Sequence, residues 1–155
     1  MRHGRFALTA AVGTGALALS ALVLAPAAGA VEPQEASIAF DCGSFGSGTA
    51  ALKATQNGTA ATIAVSTSAI TAPLDVGAGA VRSTLTLTRN GSGTTTFTGN
   101  SNPAIPAGSP VSTGPLNGTV ASGDRLAASS LRIVVFGITV TCTATSAQAP
   151  GPFVF

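Results

Sequence analysis

The chain has 155 residues, of which 45% are hydrophobic and only 8% are charged, with a formal net charge of +2. It contains neither tryptophan nor tyrosine, and it has a single histidine. An ordinary globular domain is about a quarter charged, so this chain consists mostly of small, chemically unreactive side chains. Such a composition excludes many kinds of catalytic site before any motif is considered.

The first thirty residues are typical of a signal peptide. A short cationic start at 2–5 precedes the uncharged, apolar stretch 6–25, and small residues at 28–30 match a signal-peptidase cleavage site. A transmembrane anchor is the alternative for an apolar stretch of this length, but glycines interrupt it and a cleavage pattern ends it. We therefore predict a secreted protein, either extracellular or non-covalently associated with the cell wall.

Cleavage after residue 30 would leave one domain with no integral membrane span. We predict a signal peptide over 1–30, a flexible N-terminal tail over 31–36 and a single β-sandwich domain over 37–155.

Loss of the signal peptide also changes the charge and the chemistry. Removing Arg2 and Arg5 from the seven basic residues leaves five, which balance the five acidic residues. Nucleic acids and anionic membranes bind clustered positive charge, so we expect neither as a partner. His3 leaves as well, and a chain without histidine cannot build a Ser-His-Asp triad, a Cys-His pair or a histidine-ligated metal site. We expect no enzyme, no cofactor and no metal.

The remaining chain has the pattern of β-strands rather than helices. Short segments alternate polar and apolar residues or are continuously apolar, and Asn-Gly dipeptides at 57, 90 and 117 are typical of tight hairpin turns. The candidate strands are residues 38–42, 50–55, 61–66, 81–89, 94–98, 116–121, 131–136 and 138–142. Seven or eight short strands predict an all-β, two-sheet antiparallel sandwich of the immunoglobulin-like type.

Two cysteines lie near the two ends of the predicted domain. Cys42 shares a strand face with Ile38 and Phe40, and Cys142 shares one with other apolar residues, so both thiols are expected to point into the core. In an oxidising compartment the only intramolecular pairing is Cys42–Cys142, which would join the first and last strands. Buried free thiols and an intermolecular bridge are the alternatives.

Few side chains could carry catalysis. Asp41, Asp75 and Asp124 could form the carboxylate pair of a glycosidase, but each is predicted on the surface or in a turn. Lys53 could form a Ser-Lys dyad, but it alternates within its segment as an exposed strand residue. We therefore predict no catalytic residue.

The segment 102–110 is a candidate partner-binding loop. Its three prolines stiffen an extended backbone, and Pro103, Ala104, Ile105 and Pro106 form its centre. An exposed Ile105 would suit insertion into the cleft of a partner, as in protease inhibitors. The alternative is a loop that crosses between the two sheets with Ile105 packed into the edge of the core.

The order of these features resembles a group of exported actinobacterial β-sandwich proteins, immunoglobulin-like and mostly of unknown function. The resemblance depends on an aromatic-x-Cys strand at 40–42, a Pro-to-Gly turn at 73–77 and a Val-x-Cys strand at 140–142. It implies a fold and a compartment, but no reaction. The composition is also similar to that of the secreted apoproteins that carry enediynes. Those proteins have two disulfides in short loops, whereas this chain has one widely spaced pair of cysteines.

We therefore expect a secreted, non-enzymatic β-sandwich that acts as a binding or cell-envelope-associated protein, with an unknown protein or cell-wall component as its partner. One alternative is a small-molecule carrier with a cleft between the sheets. Another is a protease inhibitor that uses the loop around Ile105.

Overall fold

The computed structural model describes residues 30–155, so the predicted signal peptide lies outside the described residues except for Ala30. In this range the chain forms nine β-strands and one short 3₁₀ turn, Gly43–Phe45, and it contains no α-helix. The strands are β1 (Glu35–Asp41), β2 (Ser47–Asn57), β3 (Ala60–Thr71), β4 (Arg82–Arg89), β5 (Gly93–Gly99), β6 (Pro110–Thr119), β7 (Arg125–Val135), β8 (Ile138–Ala144) and β9 (Phe153–Val154).

Alternation of apolar and hydroxyl side chains explains why these segments are strands. In β4, Leu85 and Leu87 are buried, while the alternating Thr84, Thr86 and Thr88 are partly exposed. Successive side chains of a strand point to opposite faces, and threonine favours the extended backbone without adding charge. The prediction of an all-β protein is confirmed.

Tight turns connect several of the strands. Asn57-Gly58 joins β2 to β3 and Asn90-Gly91 joins β4 to β5, with φ of +63° at Gly58 and +53° at Asn90. Asparagine and glycine tolerate this left-handed backbone, so both predicted turns are confirmed. The third Asn-Gly dipeptide, at 117, lies inside β6 instead.

The strands form one closed ring rather than two separate sheets. Their order is β4-β5-β6-β3-β2-β1-β8-β7, and β7 then pairs with β4, so every neighbour is antiparallel and the sheet has closed into an eight-stranded barrel. The predicted open two-sheet, immunoglobulin-like sandwich is wrong. Inward and outward residues alternate in a barrel as they do in a sandwich, so the pattern within each strand did not reveal the closure.

Two thin seams close the barrel. β5 and β6 share one residue pair, and β1 and β8 share two, Phe40 with Ala144 and Asp41 with Thr143. The disulfide Cys42–Cys142 lies at the next position along this second seam. The predicted disulfide is therefore confirmed. It joins the residue that follows β1 to β8, which is the last strand but one.

The end of the chain completes the β1–β8 seam. After β8 the chain returns along β1 and β7, where Ala149 pairs with Ser37 and β9 pairs with the start of β7. Val31 is buried, and the backbones of Glu32 and Val154 exchange two hydrogen bonds of 2.9 and 2.7 Å. The tail predicted to be flexible at 31–36 is therefore packed and paired, because a late strand provides its partner.

Gly118 lies against a ring in the core. A methyl group added at this position would overlap the ring of Phe97, which is fully buried. The Asn-Gly dipeptide at 117 therefore reflects close packing across the β5–β6 seam rather than a turn.

Loss of the disulfide should weaken the barrel. Replacing Cys42 and Cys142 together by alanine frees a seam of two residue pairs and removes a bridge across 100 residues. We expect the free energy of unfolding to fall by about 2–5 kcal/mol, measured by urea denaturation followed by circular dichroism. Reduced wild type should have the same free energy of unfolding as the variant. If both have the free energy of unfolding of the oxidised wild type, the β1–β8 seam does not depend on the disulfide.

Gly118→Ala should destabilise the protein by about 1–3 kcal/mol, because the added methyl group has no space beside Phe97. The matched control is Gly77→Ala, where an added methyl group meets no atom within 4 Å. Urea denaturation of both variants measures the effect, and equal free energies of unfolding would show that Phe97 moves aside without cost.

Candidate functional site

The barrel is solid at one end and hollow at the other. At the solid end, large and fully buried side chains fill the interior, and none of them lines the cavity: Leu87, Phe97, Leu116, Leu126 and Phe153. At the other end, where β3 and β7 finish and β8 begins, a cavity of about 490 Å³ opens between the strands. The hollow end is the candidate site.

Inward-facing side chains of β1, β7 and β8 form much of the cavity wall, together with the disulfide. They are Ile38, Phe40, Leu131, Ile133, Val135 and Val140. Within the described chain, none of the residues that line the cavity is charged. The alternation in β8 predicted which of its residues face inward, but only the closure of the barrel shows that they face an open space.

The cavity wall contains eight serine and threonine side chains, and four of their hydroxyl groups make hydrogen bonds within the protein: those of Thr67, Ser112, Thr113 and Ser129. The buried Thr113 hydroxyl accepts a hydrogen bond from the Val65 amide at 3.0 Å and donates one to the Gly114 carbonyl at 2.7 Å. A buried polar group with its hydrogen bonds made adds little demand for a polar ligand. Because the other 24 of the 32 lining residues are apolar, the wall is a mainly apolar surface.

Two loops form one side of the mouth. Val76 and Ile105 exchange two backbone hydrogen bonds of 2.8 Å, and both side chains are buried in a small cluster with Ala72 and Val81. Asn102 fixes these loops in place, because its side chain accepts from the Val81 amide and donates to the carbonyls of Gly77 and Pro103, all within 3.0 Å. Nothing in the sequence distinguished Asn102 from the other polar residues of its loop.

The predicted partner-binding loop has its apolar residue turned inward. Ile105 is only 5% exposed and lines the cavity, so the exposed tip that an inhibitor would need is absent from this loop. The alternative, with Ile105 packed into the edge of the core, describes the structure. Pro103, Ala104 and Pro106 remain exposed, and their binding of a partner stays a prediction.

Apolar side chains also project from the rim of the mouth. Phe45, Phe136 and Ile138 line the opening and are each at least half exposed. Phe136 lies at the tip of the β7–β8 hairpin, and Phe45 lies in the turn after β1.

The candidate catalytic residues lie on four different elements or connections, and none of them lines the cavity. Asp41 and Asp75 are exposed, and each accepts a backbone hydrogen bond, from Gly43 at 2.6 Å and from Ala107 at 2.8 Å. Lys53 is exposed and lies 3.7 Å from the carboxylate of Glu35. Within residues 30–155, no hydrogen bond or ion pair joins any two of the candidate catalytic groups.

Asp124 differs from the surface residue that the sequence predicted. It is buried at the solid end of the barrel, where Arg89 and the Ala121 amide donate hydrogen bonds to it. The hydrogen bond from Arg89 lowers the pKa of Asp124, and although burial acts in the opposite direction, the Ala121 amide and the charge of Arg89 lower it further. Asp124 thus holds β4 to the start of β7.

The described residues contain no group of three or more histidine, cysteine, aspartate or glutamate residues placed to hold a metal ion. In residues 30–155 no helix is long and apolar enough to cross a membrane. The chain matches no protein-family model, no curated protein and no solved structure. The cavity itself is therefore the basis for any functional assignment.

The Arg89–Asp124 contact should make stability depend on pH. The unfolded carboxyl titrates near pH 3.9, and the folded pKa is lower, so Asp124 stabilises the fold above about pH 4. That stability is lost as the pH falls through the folded pKa. Asp124→Asn should lower the Tm by several degrees at neutral pH, and its difference from wild type should shrink in acid.

Thermal unfolding followed by circular dichroism between neutral and acidic pH measures this difference. The control is Asp75→Asn, which removes an exposed carboxylate that has no ion-pair partner within residues 30–155. If the difference in Tm between wild type and Asp124→Asn is the same at every pH, the ionised Asp124 carboxylate does not provide the stability that we assign to it.

Proposed function

We propose that this chain is a non-enzymatic binding protein that holds one small, uncharged, apolar molecule in the hollow end of its barrel. The observation that carries the proposal is the cavity of about 490 Å³ with an apolar wall and no charged lining residue among those described. Ligand pockets are commonly about 300–1,000 Å³, and eight strands make a barrel just wide enough to hold one small ligand.

The chemistry of the wall selects the ligand class. A charged group moved into this cavity would lose its hydration and meet no opposite charge in the lining. An apolar molecule would instead remove its own surface and that of the wall from water, at about 25 cal/mol per Å². This supports the carrier alternative, with the interior of the barrel in place of a cleft between sheets.

The placement of the titratable groups supports binding rather than catalysis. General acid-base chemistry needs a group within hydrogen-bond reach of the reacting atoms. In the described part of the chain, the side chains around the cavity are aliphatic, aromatic or hydroxyl-bearing, apart from a disulfide that does not titrate. The disulfide is compatible with an oxidising, extracellular compartment, where we expect this carrier to act.

Partly filling the cavity should weaken binding. Ile133 and Val140 lie opposite each other on β7 and β8, and both line the cavity. Wild type should bind the uncharged dye N-phenyl-1-naphthylamine with one-to-one saturation, measured by its fluorescence. In Ile133→Phe with Val140→Phe we expect binding to weaken by about tenfold or more, because two rings occupy the space.

The matched control is Val134→Leu with Thr139→Leu, the next residue pair on the same strands, which lies on the outer face. It should bind like wild type, and equal binding by the filled variant would contradict the proposal. Because the chain has neither tryptophan nor tyrosine, an aromatic or conjugated ligand that co-purifies would also appear as absorbance near 280 nm that organic extraction removes.

A further inference from the structure

The exposed apolar residues of the described chain gather at one end. Four large hydrophobic side chains are more than a third exposed, and three of them, Phe45, Phe136 and Ile138, line the mouth of the cavity. The fourth, Leu74, lies between two further mouth residues, Pro73 and Val76. Scattered exposed hydrophobic residues are normal, but a cluster at one opening indicates a contact surface.

Phe136 occupies a backbone position that does not suit it. In the β7–β8 hairpin its φ is +53° and that of Gly137 is +75°. The β4–β5 hairpin has asparagine in the equivalent place, Asn90, with the same φ. Bulky residues rarely adopt this left-handed conformation, whereas asparagine adopts it readily. The fold therefore carries an exposed ring, 61% accessible, at a position where asparagine would suit the turn better.

Two arginines lie behind this tip. Arg82 pairs with Val134, and Thr84 pairs with Arg132, so the two arginines are diagonal neighbours on the outer face of β4 and β7. The Cα atoms of diagonal neighbours lie about 7–8 Å apart. Both are exposed, and neither has an ion-pair partner within residues 30–155. Phe136 follows Val134, the partner of Arg82, by two residues. The tip therefore lies about 7 Å further along the hairpin than Arg82.

We propose that the β7–β8 hairpin docks on a phospholipid surface, with Phe136 and Ile138 inserted among the acyl chains and Arg82 and Arg132 bound to headgroup phosphates. An apolar tip with cations behind it matches the layering of a bilayer surface, where hydrocarbon lies beneath the anionic headgroups. Of the two acidic residues near the mouth, Asp41 pairs with Thr143, five residues along β8 from Ile138, and Asp75 lies on the β3–β4 connection.

The size of the patch favours a lipid over a protein or a second copy of this chain. A stable protein interface uses about 20–30 residues on each side, which a few side chains around an opening do not provide. The charge-based expectation of no anionic membrane partner treated the arginines as scattered, but the register brings two of them together. The purpose of docking, transfer of an apolar molecule between lipid and cavity, rests on the proposed function.

Vesicle flotation tests the docking. Wild type should float with phosphatidylcholine vesicles, and more strongly with an equal mixture of phosphatidylcholine and phosphatidylglycerol. Phe136→Asn should reduce the bound fraction by about tenfold, since the apolar anchor is lost. The Tm of Phe136→Asn should equal that of wild type or exceed it, because asparagine suits the turn. A loss of binding therefore cannot be assigned to unfolding.

Arg132→Gln should weaken binding to the mixed vesicles, whereas Arg125→Gln, at the other end of β7, should not.

The proposal is overturned if wild type stays unbound with both vesicles, or if Phe136→Asn floats as well as wild type. A dimer in size-exclusion chromatography that Phe136→Asn dissolves would assign the patch to a second copy and also overturn it. Dye uptake in solution separates the two proposals. A protein that takes up the dye but does not float is a carrier without docking, and one that floats but takes up no dye docks without being a carrier.

Discussion

The closure of the barrel at the β1–β8 seam is the constraint on which the hollow end depends. Only two residue pairs join these strands, and the Cys42–Cys142 bridge continues the line of contact at the third position. The same bridge forms part of the cavity wall, so one covalent link both closes the ring and borders the site. A cavity loses packing contacts that a solid core would keep, and a cross-linked seam offsets part of that loss. The disulfide thus lets this barrel keep an open interior.

The two ends of the barrel are specialised in opposite ways. The solid end is closed by aromatic and leucine side chains, by the Arg89–Asp124 contact and by hydrogen bonds between the backbone of Phe155 and residues 123 and 124. At the hollow end, two loops held together by Asn102 form one side of an open mouth, and its rim is apolar. The proposed ligand and the proposed lipid surface both belong to this end.

Much of the local structure could be predicted from the sequence, but the arrangement of the strands could not. Alternation in β4 and β8 and the Asn-Gly turns at 57 and 90 located strands and hairpins correctly, because these signals depend on neighbouring residues alone. The pairing of β4 with β7 brings together segments far apart in the chain, and a barrel and a sandwich impose the same inward and outward pattern. Ile105 was ambiguous for a similar reason, since its contact with Val76 depends on where two distant loops meet.

By itself the sequence determined the secondary structure, the low charge and the types of side chain on each strand face. It specified an all-β chain poor in charge, threonine-rich on its exposed faces, with one pair of cysteines whose strand faces point inward. The tertiary structure alone decided that the inward faces enclose a space, that Asp124 is buried beside Arg89, and that Arg82 and Arg132 lie near each other behind the tip that carries Phe136. The physical reason is that side-chain periodicity fixes the direction of each residue relative to its own strand, whereas cavities and clusters depend on which strands are neighbours.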